Sequence, residues 1–185
     1  MHHYWARAIY VITLALSAAT GAINVKNIVD ETVTAIDDGA LPAWISKHVR
    51  TYIATDGRDG HMWDASAVGG KGAVSCLLLT TRGRRSGKSF VHPLVYGEDA
   101  GTYIVVASKG GADTQPQWYF NLLAGPDVEV QVAAKRFTAR ATLANGAERE
   151  RLWSLITQVY PPYDDYQAKT TRQIPIFTLT PTSNS

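Results

Sequence analysis

The chain alternates short apolar runs, rich in β-branched residues, with polar breaks that carry glycine. Ala73–Thr81 is the strongest apolar run, and Ser89–Tyr96 and Thr102–Ala107 follow closely; all three predict strands. The connections between them, around 82–88 and 97–101, are short enough for antiparallel hairpins. Val128–Val132 alternates apolar and polar positions, Arg136–Leu143 continues as its partner, and Ile174–Leu179 predicts a final strand. Helical spacing occurs in three places. Trp44, Ile45, Val49, Tyr52 and Ile53 form a stripe with helical period. Pro116 suits the first turn of a short helix over Gln117–Ala124. Ala147–Tyr160 places Leu152, Leu155, Ile156 and Val159 on one side, after the charged opening Glu148 to Arg151.

Strands come consecutively and helices late, which is not the alternation of a doubly wound sheet. The pattern predicts a mainly β (α+β) protein, a small closed or split antiparallel barrel with peripheral helices. No Gly-x-Gly-x-x-Gly turn joins a strand to a helix, which argues against a dinucleotide fold. With 185 residues, 45% of them hydrophobic, the chain can bury one sizeable core. The expected organisation is an N-terminal segment and linker over 1–42, ending in Asp37–Pro42, a barrel domain over 43–181 and a tail over 182–185.

The N-terminal segment differs from the rest. Ala8 to Val25 contains no charged residue, between Arg7 and Lys26. A cleaved signal, a marginal anchor and a helix on the membrane surface compete. Thr13, Ser17, Thr20, Gly21 and Asn24 weaken the spanning reading, and membrane association ranks above cleavage.

Charge changes the picture locally. The net charge is only +2, so bulk nucleic-acid binding is not expected. Yet Arg82, Arg84, Arg85 and Lys88 sit on one short connection with Gly83 and Gly87, and no Asp or Glu occurs between Asp64 and Glu98. Arginine forks and the Ser86 hydroxyl suit a phosphate, while a solvated hairpin tip is the plain alternative. Ala107-Ser-Lys-Gly-Gly111 repeats the combination of cation, hydroxyl and glycines after the third strand, at the same barrel end. Trp118 and Tyr119 could wall a flat ring, and Asn121 could bond it. Tyr160, Tyr163 and Tyr166 recur every three residues and could line a pocket or supply a phenolic proton. Cys76 is the only cysteine and lies in an apolar run, so it reads as a buried thiol. The five histidines form no ligand set, no metal is expected, and His92 reads as a pocket-wall residue.

Leu77–Gly87, His92-Pro-Leu94, Ala107–Gly111, Pro116–Leu122, Tyr160–Tyr166 and Thr170-x-Arg-x-Ile-Pro175 occur in one order. This ordered set resembles the deazaflavin-dependent nitroreductase family of mycobacteria and related actinobacteria, from about Trp44 to Pro181. The resemblance implies a split β-barrel of the FMN-binding type. It implies coenzyme F420, a deazaflavin with a phosphate and a polyglutamate tail, whose phosphate end Arg84, Arg85 and Ser86 would hold. Phe90, Val91, His92, Pro93, Leu94 and Val95, with Val106, Ala107, Ser108 and Lys109, would lie along the deazaflavin. Gln117, Trp118, Tyr119, Phe120 and Asn121 would complete that wall. Tyr160, Tyr163 and Tyr166 would cover the substrate side, with Tyr163 also touching the cofactor. Hydride would pass to a quinone-like or nitroaromatic acceptor. Two positions depart from the family pattern: Phe90 stands where arginine can occur, with Lys88 as compensation, and Val95 stands where tyrosine can occur. Tyr96 is one residue along and faces the other side of the strand, which counts against nitroimidazole turnover. An FMN-binding reductase and a non-catalytic F420 carrier at the membrane are the alternatives; Lys71, Lys88 and Lys109 suit the F420 tail. A lipophilic quinone and a cytoplasmic cofactor imply the cytoplasmic face of the membrane, or else the cytoplasm.

Overall fold

The computed structural model describes residues 43–68 and 70–182. In chain order they form α1 (Ala43–Ala54), β1 (Met62–Asp64), β2 (Ala73–Arg82), β3 (Ser89–Asp99) and β4 (Thr102–Val106). There follow α2 (Gln117–Ala124), β5 (Asp127–Val132), β6 (Lys135–Leu143), α3 (Gly146–Val159), α4 (Pro162–Ala168) and β7 (Ile176–Pro181). The strand order β2-β3-β4-β7-β6-β5 closes on itself, because β5 also pairs with β2. The result is an antiparallel barrel of six strands with four helices around it, and β1 extends β2 by pairing Trp63 with Val74.

The near-continuous burial of Cys76–Leu79 reflects a strand covered on both faces. Leu77 and Leu79 point into the barrel interior with Val105, Val130 and Phe177. Leu78 points outward, under α1, where it meets Val49, Tyr52 and Val91. A third cluster forms where α3 and α4 cover β4 and β7, through Ile104, Val106, Leu152, Ile156 and Ile176.

The barrel is unevenly paired. The β3–β4 ladder runs only from Tyr96–Asp99 to Thr102–Val105. Ser89–Val95 is therefore laddered to β2 alone. The two strands part there, and a groove opens between them.

Several elements differ from the sequence reading. The predicted turn at 97–101 is tighter, since β3 continues to Asp99 and only Ala100 and Gly101 turn, with φ of 48° and 81°. Two positive φ values in a two-residue loop match the twist of the flanking strands. β1 is three residues long, too short for any periodicity to announce it. The tyrosine segment, for which the sequence pattern predicts no helix, enters α4 after Tyr160: Pro161 precedes the helix and Pro162 occupies its first turn, where a missing N–H costs nothing. The uncharged stretch 8–25 lies outside the described residues. Among the described residues no helix is long and apolar enough to cross a membrane.

Tyr52 ties α1 to the barrel. Its hydroxyl donates to the Cys76 carbonyl at 2.9 Å and accepts from the Ala133 N–H at 2.8 Å. His61 Nδ1 lies 3.2 Å from the same oxygen. Removing a buried hydroxyl leaves its partners unpaired, at about 1–3 kcal/mol. Tyr52→Phe should therefore lower the urea midpoint by a corresponding amount without changing the slope of the transition.

Candidate active site

The groove at the split encloses about 640 Å³. Its floor is β3 from His92 to Val95, with Val106 of β4. Trp118 of α2 forms one wall, and Tyr160, Tyr163 and Tyr166 form another. Ser108, Lys109 and Gly110 close one side. The lining is mainly apolar and aromatic, with a few polar groups, as expected for a planar ligand.

The basic loop lies at the end of β2 beside this groove. The Gly83 N–H donates to the Lys88 carbonyl at 2.8 Å, and the Gly87 N–H to the Gly83 carbonyl at 2.7 Å. A Cβ on Gly83 would sit 2.6 Å from the Phe90 ring and 2.7 Å from Ser86 Oγ, so a side chain there would displace one or both. Ser86 Oγ accepts from the Lys88 N–H, which leaves its proton available to a ligand. Arg84 reaches across to α2. Its Nη1 and Nη2 both donate to Gln117 Oε1 at 3.2 Å, and its Nη1 and backbone N–H donate to Asn121 Oδ1. Its guanidinium also lies 5.0 Å from the Phe120 ring centre. These partners are neutral, and among the described residues no carboxylate reaches Arg84. The guanidinium is thus oriented without losing its charge, which suits an anion.

Asn121 links this clasp to the groove floor. Its Nδ2 donates to Thr81 Oγ1 at 3.2 Å, and Thr81 Oγ1 lies 3.3 Å from His92 Nε2. Burial pushes the His92 imidazole down to about 4, so it is neutral at pH 7.

Arg172 shapes the opposite side. It donates from Nε to the Ala112 carbonyl (2.7 Å) and from Nη1 to Gln115 Oε1 (2.7 Å). Its Nη2 donates to the carbonyls of Ser108 (2.7 Å) and Ala107 (3.2 Å). Thr170 Oγ1 adds a bond to Asp113 at 2.9 Å. One side chain therefore fixes the 107–115 loop. Gly111 lets that loop touch α4, since a Cβ there would lie 2.6 Å from the Tyr166 carbonyl.

The tyrosines form a connected cluster. The hydroxyls of Tyr160 and Tyr166 are 3.2 Å apart, and the Tyr160 and Tyr163 rings meet edge-on at 4.9 Å. Burial raises the pKa of Tyr160 and Tyr163 well above the usual phenol value, so both stay protonated at neutral pH. Trp153 Nε1 donates to Asp164 Oδ1 at 2.8 Å, holding α4 on α3.

The structure brings His92, Pro93, Leu94, Val95, Val106, Ser108, Lys109, Trp118, Tyr160, Tyr163 and Tyr166 together on the groove. Other expected positions lie elsewhere. Val91 turns under α1, because alternate side chains of a strand face opposite sides. Ala107 is in the barrel interior, and Tyr119 packs on it, 5.8 Å from the Phe177 ring. Phe90 packs at Gly83 rather than on the groove. Gln117, Phe120 and Asn121 hold Arg84, so they act on a ligand through it. Arg85 is exposed on the loop. Tyr96 faces the barrel interior against Tyr103, opposite to Val95, as strand parity requires. Sequence reasoning missed Trp44, Ile45, His48 and Trp63 as groove residues and the role of Arg172. For the first set the signal was Trp44 on the helical stripe; for Arg172 it was the Thr-x-Arg-x-Ile-Pro motif.

The F420H(2)-dependent quinone reductase family matches over residues 44–181. An F420H(2)-dependent quinone reductase of Mycobacterium tuberculosis is 36% identical over 152 residues, covering 76% of this chain and 97% of the relative. A solved F420-H2 dependent reductase is 46% identical, covers 56% of this chain and 92% of its own, and superposes with a TM-score of 0.54. A chain solved as a domain-swapped dimer is 37% identical, covers 74% and 96%, and has a TM-score of 0.57.

The half-buried His92 makes stability depend on acid. Its folded pKa of about 4 lies below the ordinary 6.5, so between those values the unfolded chain binds a proton that the folded chain excludes. This contribution is complete above pH 6.5 and is lost as pH falls toward 4, by up to about 1.4 kcal/mol per pH unit. Urea midpoints at pH 7, 5.5 and 4.5 should fall less for His92→Phe than for the parent.

Proposed function

The chain belongs to the F420H(2)-dependent quinone reductase family, and from that premise we propose that the groove orients coenzyme F420 along β3 for reduction of a quinone-like acceptor. The family makes it an oxidoreductase with F420 as cofactor. The observation that carries the site reading is the Arg84 clasp: a guanidinium held by Gln117 and Asn121, with no carboxylate partner among the described residues, on the helix that brings Trp118 to the groove.

The residues fit the cofactor. Arg84, Arg85, Ser86 and Lys88 would hold its phosphate end, and Pro93–Val95, Val106 and Trp118 would bound its flat ring system. When bound in reduced form, F420 supplies the hydride. The protein supplies position and dryness. The aromatic walls would exclude water, and the loop held by Arg172 would present Ser108 and Lys109 to the ring. Tyr163 and Tyr160 hold their phenolic protons near the acceptor side, where a proton is needed to balance a transferred hydride. Tyr166 is coupled to them through the 3.2 Å hydroxyl contact. Nitroaromatic rings are the second acceptor class that such a flat groove admits. The uncharged 8–25 segment supports association with the cytoplasmic face of a membrane, where a lipophilic quinone resides.

The test is a titration with oxidised F420 and with FMN, followed by oxidation of reduced F420 by menadione. F420 should bind and be turned over. Tight FMN binding without F420 binding would sink the proposal. Arg84→Ala with Arg85→Ala should weaken F420 by at least about tenfold and flatten its salt dependence. Unchanged affinity would make the loop an ordinary hairpin tip.

A further inference from the structure

The strip between α4 and β7 has no ladder to hold it. Thr170 to Pro175 belongs to no helix or strand, yet Ile174 and Pro175 are buried. Buried backbone groups outside a ladder need other partners. Two side chains supply them. Gln167, in the last turn of α4, accepts the Ile174 N–H on Oε1 at 2.9 Å and donates from Nε2 to the Arg172 carbonyl at 2.9 Å. Its amide thus stands in for a peptide unit of a neighbouring strand. Arg149 of α3 donates from Nη2 to the Ile174 carbonyl at 2.9 Å, and the same nitrogen lies 3.5 Å from Gln167 Oε1.

The same strip supports the opposite side of the groove. The Arg172 guanidinium holds the Ser108 and Ala107 carbonyls, and Thr170 holds Asp113. The Ala107 N–H donates to the Pro175 carbonyl at 2.9 Å. The 107–115 loop is therefore carried by the strip.

On the other side, Tyr163 precedes Gln167 by four residues, so the two share one face of α4, a turn apart. Tyr163 and Ile174 lie in one buried cluster. The Gln167 amide thus joins the tyrosine wall to the edge formed by Ser108, Lys109 and Gly110. The close approach of Gly111 to the Tyr166 carbonyl brings the two parts together but sets no angle. A hydrogen bond does, because it weakens steeply away from linearity.

We propose that Gln167 is a positioning residue for the reaction, which holds the tyrosine wall and the Ser108–Gly110 edge at a fixed separation through the Arg172 carbonyl. Gln167 does not itself line the groove. It acts on the gap between the two sides. Hydride transfer needs reacting atoms about 3–3.5 Å apart, and a misplacement of about 1 Å costs on the order of 10²-fold in rate. The inference rests on the reading of the groove as the F420 site, and the measurements separate the two.

Two variants of the full chain isolate the amide. Gln167→Leu removes donor and acceptor. Gln167→Glu keeps an acceptor for the Ile174 N–H and loses the donor to Arg172, and it keeps the test open if the leucine variant does not fold. Amide hydrogen exchange is followed by mass spectrometry on the cofactor-free protein. F420 affinity is read by titration, and menadione turnover with reduced F420 by steady state. In both variants the 107–113 amides should exchange at least about fivefold faster, the loss expected for one hydrogen bond. β5 and β6 should keep parental rates. kcat should fall at least about tenfold, while KM for menadione and F420 affinity change by less than about threefold. Parental kcat in the folded variants, or parental exchange at 107–113, overturns the proposal. Faster exchange spread evenly over the barrel overturns it too, since that marks a glutamine needed only for stability. If the parent chain fails to bind F420, the reading of the groove falls. Exchange at 107–113 then decides this inference alone: faster exchange supports the coupling of the two sides, and parental rates overturn it.

Discussion

β3 parts from β4 beyond Tyr96, and the site exists because of that separation. A fully laddered barrel would be filled by its own side chains and would offer no groove. Here Ser89–Val95 keeps only its β2 neighbour, so one edge of a central strand faces a cavity. The barrel stays closed through β5 pairing with β2 on the far side. Trp118, Val106 and the α4 tyrosines fill part of the opening and leave a flat slot.

Polar clasps then set the slot's chemistry. Arg84 and Arg172 are alike in one respect: each is oriented by neutral oxygens. They differ in what remains. Arg172 spends its donors on four backbone and amide oxygens and becomes a structural pin for the 107–115 loop. Arg84 is exposed and keeps its charge directed outward, beside Arg85 and Lys88. Asn121 and Thr81 carry the link inward to His92, so the anion end and the ring end of the site are mechanically connected. The tyrosine helix depends on Gly111 and on the Trp153–Asp164 bond for its seat.

Much of this architecture was legible in the order of apolar runs. The six barrel strands and three of the four helices follow from period and from turn residues, with ends shifted by a few positions. The tyrosine helix was not legible, because paired prolines read as a break until their place in a first helical turn is known. The three residues of β1 carry no periodicity. The site was legible as ordered motifs, but motif membership does not say which way a side chain points. Val91 and Ala107 were both expected along the cofactor, yet Val91 faces α1 outside the barrel and Ala107 faces the interior.

Composition and pattern alone determined an antiparallel barrel with late helices, a cationic loop after β2 with no Asp or Glu between Asp64 and Glu98, and three tyrosines at three-residue spacing. Those are local properties, fixed by alternation, glycine and charge within a few residues. The tertiary structure decided where the barrel splits, because strand pairing is non-local. It decided that Gln117 and Asn121 serve Arg84 over 33 and 37 residues of chain. It also decided that α1, near the start of the described chain, and β1 bring Trp44, His48 and Trp63 to one end of the groove. No sequence period records such meetings, because they depend on how separately stable elements pack.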